Sequence, residues 1–322
     1  ESANGPERNA PVGREGQDTK GKTRVNNTTW YLGPLGDLRA LPCPEPDITD
    51  TTVRYGGVHQ GLSGARTVDV TGYRTEYGFE FEYLEPEEFR WLRALHTRMV
   101  PGPYRLIDPR YKNRLSPQST ALWQVATTSD ATIPPGLGFF ASSVVHREWV
   151  HDAPAEVVEA VRSLRISNYT TFPDALYFGR FDFGYGIPVH DGETITYSIY
   201  ARSAADGEDQ PFQMVLDYYD RDLVQVGGTG WQERVATPEW QRFTLTATVP
   251  TGIVAVVPAL GFGTFSGETT HPLHFAAPQL EAGDTATEWD IGGGSKTVHI
   301  SSLETSSPRF PLTNCSLTLL EA

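Results

Sequence analysis

Two carboxylates flanking a cleft are the minimum equipment for glycoside hydrolysis, one acting as general acid and the other as nucleophile or base. Asp217, Asp220, Asp222, Glu233 and Glu239 crowd one stretch, but in a chain with 40 acidic residues such crowding carries no information. Asp220-Arg221-Asp222 reads as a hairpin turn. His271-Pro272-Leu273-His274 offers two imidazoles, yet no third ligand follows at metal spacing and Pro272 points to a loop. The run from Gly261 to Gly267 lacks the strand-to-helix setting of a phosphate-binding turn and reads as an exposed loop. No Gly-x-Ser-x-Gly elbow occurs, and Cys43, wedged between Pro42 and Pro44, is a poor nucleophile position. With Cys315 far away in sequence, two buried free thiols are expected, not a zinc site or a disulfide framework. The expectation is a protein that is not an enzyme, with no catalytic residue, cofactor or metal, although an Asp cluster for calcium could not be identified either way.

Binding asks less of a sequence than catalysis: aromatic rings to stack on sugars, flanked by hydrogen-bonding groups, on the open face of a sheet. Tyr200, Arg202, Asp217, Tyr219 and Trp231 are the candidates for a glycan patch. Tyr200 and Arg202 lie opposite the Ile195 and Tyr197 stripe, Asp217 and Tyr219 opposite Met214 and Leu216, and Trp231 follows Gly227-Gly228-Thr229-Gly230. A second reading stays open, in which Tyr219 and Trp231 only cover a sandwich.

These side chains need strands to hold them. Ile195, Tyr197, Ile199 and Ala201 alternate with polar residues, the period of a half-buried strand. Phe212, Met214, Leu216 and Tyr218 form the next, followed by a hairpin to Leu223–Val226. Phe243, Leu245, Ala247 and Val249 share a face, and Ile253–Leu260 continues the series. Short strands at this spacing indicate a β-sandwich. Upstream, Tyr77, Phe79, Phe81 and Tyr83 form one aromatic face against Glu80 and Glu82. Glu85-Pro86-Glu87-Glu88 then opens a helix carrying Phe89, Leu92 and Leu95, which stops before Pro101-Gly102-Pro103. Trp123, Phe139, Phe140 and Trp149 supply core material, and Tyr177–Tyr185, aromatics alternating with Gly, reads as a strand facing a core in preference to a sugar-stacking platform.

The strand Glu239-Trp240-Gln241-Arg242-Phe243 and the exit from Gln279-Leu280-Glu281-Ala282-Gly283 through Thr287-Glu288-Trp289 together resemble jelly-roll modules related to family 4 and 9 carbohydrate-binding modules, common appendages of phage tail proteins. Residues 25–115, ending in Tyr104-Arg105-Leu106-Ile107-Asp108-Pro109 and Asn113-Arg114-Leu115, resemble the amino-terminal domain of distal tail and minor tail proteins of long-tailed phages, notably actinobacterial ones. That resemblance implies a β-barrel-like domain forming a ring beneath the tail tube, with outer modules inserted into it.

The expected fold is therefore mainly β: a small barrel-like tail-ring domain with one helix, and an inserted jelly roll. Residues 1–24 are polar and are expected to form an arm lying on a neighbouring subunit. The tail-assembly domain comprises 25–115 plus 293–322, since 30 residues after the glycine joint Gly292-Gly293-Gly294-Ser295 cannot fold alone. Residues 116–292 are the insertion. A length of 322 residues with 24 Pro and 31 Gly suits two turn-rich β domains. A net charge of −14 disfavours nucleic acid. No apolar run is long enough for a membrane span, and no signal-peptide pattern opens the chain.

The resemblance implies a structural component of a tail tip or baseplate in the virion, assembled in host cytoplasm. Its partners would be itself in a homo-oligomeric ring, the tail tube, the tail hub, and polysaccharide at the host surface. The alternatives are a cell-wall glycan hydrolase or depolymerase, disfavoured because no stretch of chain remains for a catalytic domain, and a secreted lectin or adhesin.

Overall fold

The computed structural model describes residues 29–61, 63–69, 72–121, 137–140, 145–157, 162–167, 169, 174–179, 186–204, 208–262 and 271–322. The expected N-terminal arm, Trp123 and most of the aromatic run after Phe178 lie outside these residues. The first stretch forms β1 (Tyr31–Gly33), β2 (Arg39–Ala40), β3 (Thr49–Tyr55), β4 (Val58–Gln60), β5 (Arg66–Val68), β6 (Gly72–Leu84), α1 (Pro86–His96) and β7 (Tyr104–Ile107). Next come α2 (Pro117–Ala121), β8 (Gly138–Phe140), β9 (His146–Val150), β10 (Ser163–Ser167), β11 (Asp174–Tyr177), β12 (Ile187–Pro188) and β13 (Thr194–Ser203). After these follow β14 (Gln210–Tyr219), β15 (Gln225–Gly228), β16 (Gln232–Ala236), β17 (Gln241–Thr248), β18 (Ala255–Phe262) and β19 (Leu273–Ala282). A long hairpin closes the chain, β20 (Ser295–Arg309) and β21 (Leu312–Glu321).

The first sheet has the order β2-β1-β7-β20-β21-β6-β3, so the last hairpin lies between strands formed before residue 108. Its core explains the order. Tyr77, Phe79 and Phe81 of β6 meet Leu317 and Leu319 of β21, Tyr104 and Leu106 of β7, and Leu92 and Leu95 of α1. Each such large side chain taken fully out of water contributes roughly 1.5–3 kcal/mol. The helix opens as its residues dictate: Pro86 occupies the first turn, and Glu88 accepts a hydrogen bond from the Glu85 N–H at 2.9 Å. Tyr83 departs from the aromatic face. The β6–β21 register shifts between Thr313 and Cys315, and Tyr83 adopts a positive φ of 57° and points to solvent. Cys315 is buried, whereas Cys43 is exposed, which corrects the expectation of two buried thiols. The short α2 was not expected from the sequence.

The sandwich packs the five-stranded sheet β17-β13-β19-β10-β9 against a sheet ordered β15-β14-β18-β11-β8, with β12 beside β18 and β16 beside β14. Ile195, Tyr197 and Ile199 of one sheet interdigitate with Phe212, Met214 and Leu216 of the other, joined by Leu260, Phe262 and Phe275. Gly261 and Phe262 therefore end a buried strand, not an exposed loop; residues 263–267 lie outside the described residues.

The chain leaves the first sheet through Asn113–Leu115 and returns through 291–294, and the two passes run side by side. The Gly293 N–H donates to Leu115 O at 2.7 Å and the Gly294 N–H to Asn113 O at 2.9 Å. Gly292 has φ +94°, and a Cβ there would sit 2.5 Å from Leu115 O. The expected flexible joint is thus a pinned, largely buried crossing whose glycines permit close backbone approach. Asn113 is fully buried: its Nδ2 donates to Pro278 O at 3.0 Å and Asp290 O at 2.9 Å, and its Oδ1 accepts from the Leu115 and Leu280 N–H groups. Beside it, Arg114 donates from Nη1 to Glu193 Oε2 at 2.9 Å and from Nη2 to Oε1 at 2.5 Å, both side chains being buried.

Candidate functional site

The five candidate residues do not share one face. Tyr200 and Arg202 belong to β13 and the five-stranded sheet, while Asp217 and Tyr219 belong to β14 in the facing sheet. Both pairs point away from the core, hence in opposite directions across the sandwich. A single patch is therefore replaced by two separate surfaces.

The surface carrying Tyr200 is covered by the chain's own exit segment. Gln279 and Glu281 of β19 reach outward and capture it: Glu281 Oε1 accepts from the Thr287 N–H at 2.9 Å, Glu281 Oε2 from the Thr287 hydroxyl at 2.7 Å, and Gln279 Oε1 from the Asp290 N–H at 2.9 Å. Arg242 bridges the Ser198 hydroxyl, at 2.9 Å, and Thr287 O. Tyr200, only 9% exposed, packs with Val157, Ala276 and Ala277, with Trp240 and Trp289 against them. Arg202 pairs with Asp152, Nε donating to Oδ2 at 3.0 Å, and its guanidinium lies 5.4 Å from the Trp240 ring centre. His274 stands 3.5 Å from the same carboxylate; burial foremost, then the Arg202 charge, pushes its imidazole down to about 4. His274 is thus a packed strand residue. Among the described residues no group of three or more His, Cys, Asp or Glu side chains is gathered for a metal.

The facing sheet is more open along one side. Alternation along β14 puts Gln213, Val215, Asp217 and Tyr219 on its outer face. Tyr219 is 4% exposed and packs with Val254, Ala255 and Val257, against which Leu35 and Tyr177 also rest. Asp217 is 7% exposed, and burial raises its carboxyl to about 6 against an opposing hydrogen bond from Gln225. Trp231, at 37%, is the candidate that a ligand reaches directly. It precedes β16, where Glu233 and Val235 are exposed on the same alternation and Glu233 stands opposite Gln213. Glu233 and Val235 are exposed positions that the sequence reading did not place on the glycan patch, although the Trp231, Glu233, Val235 alternation could have revealed them; Gln225 of β15 stands opposite Tyr219, toward the other end of β14 from Gln213.

Chemistry on this face is limited by spacing. Asp217 lies four residues along β14 from Gln213, the partner of Glu233, a separation of roughly 13 Å at the usual strand rise. Glycosidase carboxyl pairs stand about 5–10 Å apart. Asp220 is committed to its turn, its Oδ1 accepting from the Asp222 and Val224 N–H groups at 3.0 and 2.9 Å. The arrangement suits stacking and hydrogen bonding: an exposed indole at Trp231 with the exposed Glu233 two residues further along the chain.

No family model matches the sequence, and no curated protein matches it. Among solved structures, similarity is found to the CBM22-1 xylan-binding domain of Paenibacillus barcinonensis Xyn10C, with 14% identity, TM-score 0.33, and 46% of this chain and 88% of that one covered. The enzymatically active domain of bacteriophage CBA120 tailspike protein 4 gives 12% identity and TM-score 0.38, over 54% of this chain and 22% of that one. An arabinose-bound α-L-arabinofuranosidase gives 16% identity and TM-score 0.39, over 53% of this chain and 26% of that one. This chain thus spans about a quarter or less of the tailspike domain and the arabinofuranosidase. Likenesses of this strength say nothing of ligand or partner.

Proposed function

We propose that this chain is a structural component of a phage tail tip, a distal tail or minor tail protein of the virion, assembled in the host cytoplasm. In this reading the unit built on the first sheet oligomerises around the tail axis and meets tube and hub proteins. The sandwich holds its Trp231 surface toward host polysaccharide, without turnover. The observation that carries the adhesive part is the exposed indole of Trp231 just ahead of the exposed Glu233 of β16, a stacking ring with a hydrogen-bonding group two residues along the chain. The assembly part is supported by the sheet edges β2 and β3 and by the solvent-exposed ribbon β4–β5, backbone that a neighbouring copy could pair with. Weak sites repeated around a ring would gain firm attachment through avidity.

Affinity electrophoresis in gels containing soluble bacterial cell-wall polysaccharides tests adhesion. The protein is expected to be retarded by at least one polymer, and Trp231→Ala to lose about tenfold or more in affinity, in line with the loss of one stacked ring, with circular dichroism confirming that the variant stays folded. Light scattering over a concentration series tests assembly. A monomer at every concentration that is retarded by no polysaccharide would overturn the reading.

A further inference from the structure

The first sheet ends in a strand open to water on both faces. β3 lies at its edge, and all of Thr49–Tyr55 pair with β6 in unbroken register. Six of its seven residues are exposed and Val53 is half-buried. Edge strands are ordinarily kept from pairing with other chains by shortness, by Lys or Pro, or by a bulge. The opposite edge, β2, has only two residues, whereas β3 has seven, contains neither Lys nor Pro, and has no bulge. We propose that β3 is an interface for a second copy of this chain, β3 pairing with β3 antiparallel about a two-fold axis through Thr52. The inference names the occupant of one sheet edge and holds with or without the tail reading.

Symmetry and charge fix the register. In an antiparallel ladder, directly opposite residues alternate between hydrogen-bonded and non-bonded pairs. A two-fold axis makes the ladder identical on its two sides, so it must pass through one residue and its own copy. Centred on Thr52, all seven residues pair: Thr49 stands opposite Tyr55, Asp50 opposite Arg54, and Thr51 opposite Val53. Moving the centre one residue either way leaves one end of the strand unpaired and sets Asp50 opposite Thr52 or Gly56.

The Thr52 register therefore places a carboxylate opposite a guanidinium twice, and opposite charges directly across an antiparallel pair stabilise it. Arg54 takes part in no ion pair among the described residues. Asp50 already meets Arg110 at 2.9 Å, but a carboxylate offers about four acceptor positions, so it can hold both guanidiniums. Tyr55, 51% exposed in the single copy, gains Thr49 of the second beside it, and Val53 gains Thr51, pairings of aromatic and β-branched side chains that suit a ladder. A strand of other sequence meets the same two charges unmatched, so the pair that admits a copy also rejects strangers.

Sedimentation velocity of the full chain over a concentration series, with chemical cross-linking, tests this. One strand pair is a small interface, so a Kd of about 10–100 μM is expected. Asp50→Arg alone and Arg54→Asp alone each set like charges opposite one another and should weaken self-association about tenfold or more. Mixing the two variants restores both opposite-charge pairs and should restore association, which also shows that each variant is folded. In a Cys43→Ser background, Thr52→Cys should be joined to its copy by a short bismaleimide, whereas Thr49→Cys, six residues from its own copy along the ladder, should not. A monomer throughout that range, no rescue in the mixture, or equal cross-linking at both positions would overturn the proposal. A larger assembly without the Thr52→Cys cross-link would overturn it too, while leaving the tail reading intact.

Discussion

The pair Arg114–Glu193 sits where the chain enters the sandwich, and removing one partner gives a prediction whose size and pH dependence are both fixed by burial. In Arg114→Met the Glu193 carboxylate keeps only the His190 N–H, at 3.1 Å, and loses its countercharge. Leaving one charge of a buried pair uncompensated costs about 3–5 kcal/mol, which is the loss expected near pH 7. Burial pushes the Glu193 carboxyl up, but the Arg114 charge and hydrogen bonds outweigh it and hold the carboxyl below its ordinary value. In the parent chain, then, the pair's contribution is complete above the unfolded carboxylate pKa and is lost as pH falls through the folded one. In the variant burial is opposed only by His190, so the carboxyl pKa rises and acidification relieves the buried charge by protonating it. The deficit should therefore shrink between about pH 7 and about pH 4.5, and Arg114→Met with Glu193→Leu should recover to within about 1 kcal/mol of the parent. Urea unfolding at both pH values, followed through tryptophan fluorescence, reads these differences. A deficit below about 1 kcal/mol near pH 7, or one that grows on acidification, would refute the reasoning.

Gly292→Ala forces a Cβ toward Leu115 O at a φ that L residues avoid, so a loss of about 1–3 kcal/mol or more is expected by urea melts, whereas a flexible joint would tolerate it. Asp217 carries a carboxyl raised to about 6 by burial, so its ionisation costs stability as pH rises through that value. Asp217→Asn should raise Tm near pH 8, by an amount equivalent to about 1–3 kcal/mol, and make no difference near pH 4. A disulfide-exchange reagent should label Cys43 rapidly in the folded protein and Cys315 only on unfolding, since Cys315 is enclosed and burial, aided by Glu80, pushes its thiol up to about 12.

The strands were legible where one face of an alternation is apolar. Ile195, Tyr197 and Ile199, like Phe212, Met214 and Leu216, point inward as their spacing indicates. The second face of β13 was not legible, because Thr196, Ser198 and Tyr200 are buried by a segment some 90 residues later in the chain, recruited through Gln279 and Glu281. Polar side chains in such a place look solvent-facing until their partners are known. Alternation also does not say which sheet a strand joins, so β13 and β14 were read as presenting one surface when they present two. At Tyr83 the period was carried one pair too far, past a register shift that nothing local announces. Gly292–Gly294 misled for a physical reason: the same absence of Cβ that permits flexibility also permits two backbones to touch.

That crossing has a mechanical consequence. A module hung from one linker transmits every pull through a single covalent path, which extends before it resists. Here the sandwich is held by two adjacent strands of opposite direction, cross-bonded through Gly293 to Leu115 and Gly294 to Asn113, so tension is shared between two chains. A single cut in either pass leaves the other still bearing the load.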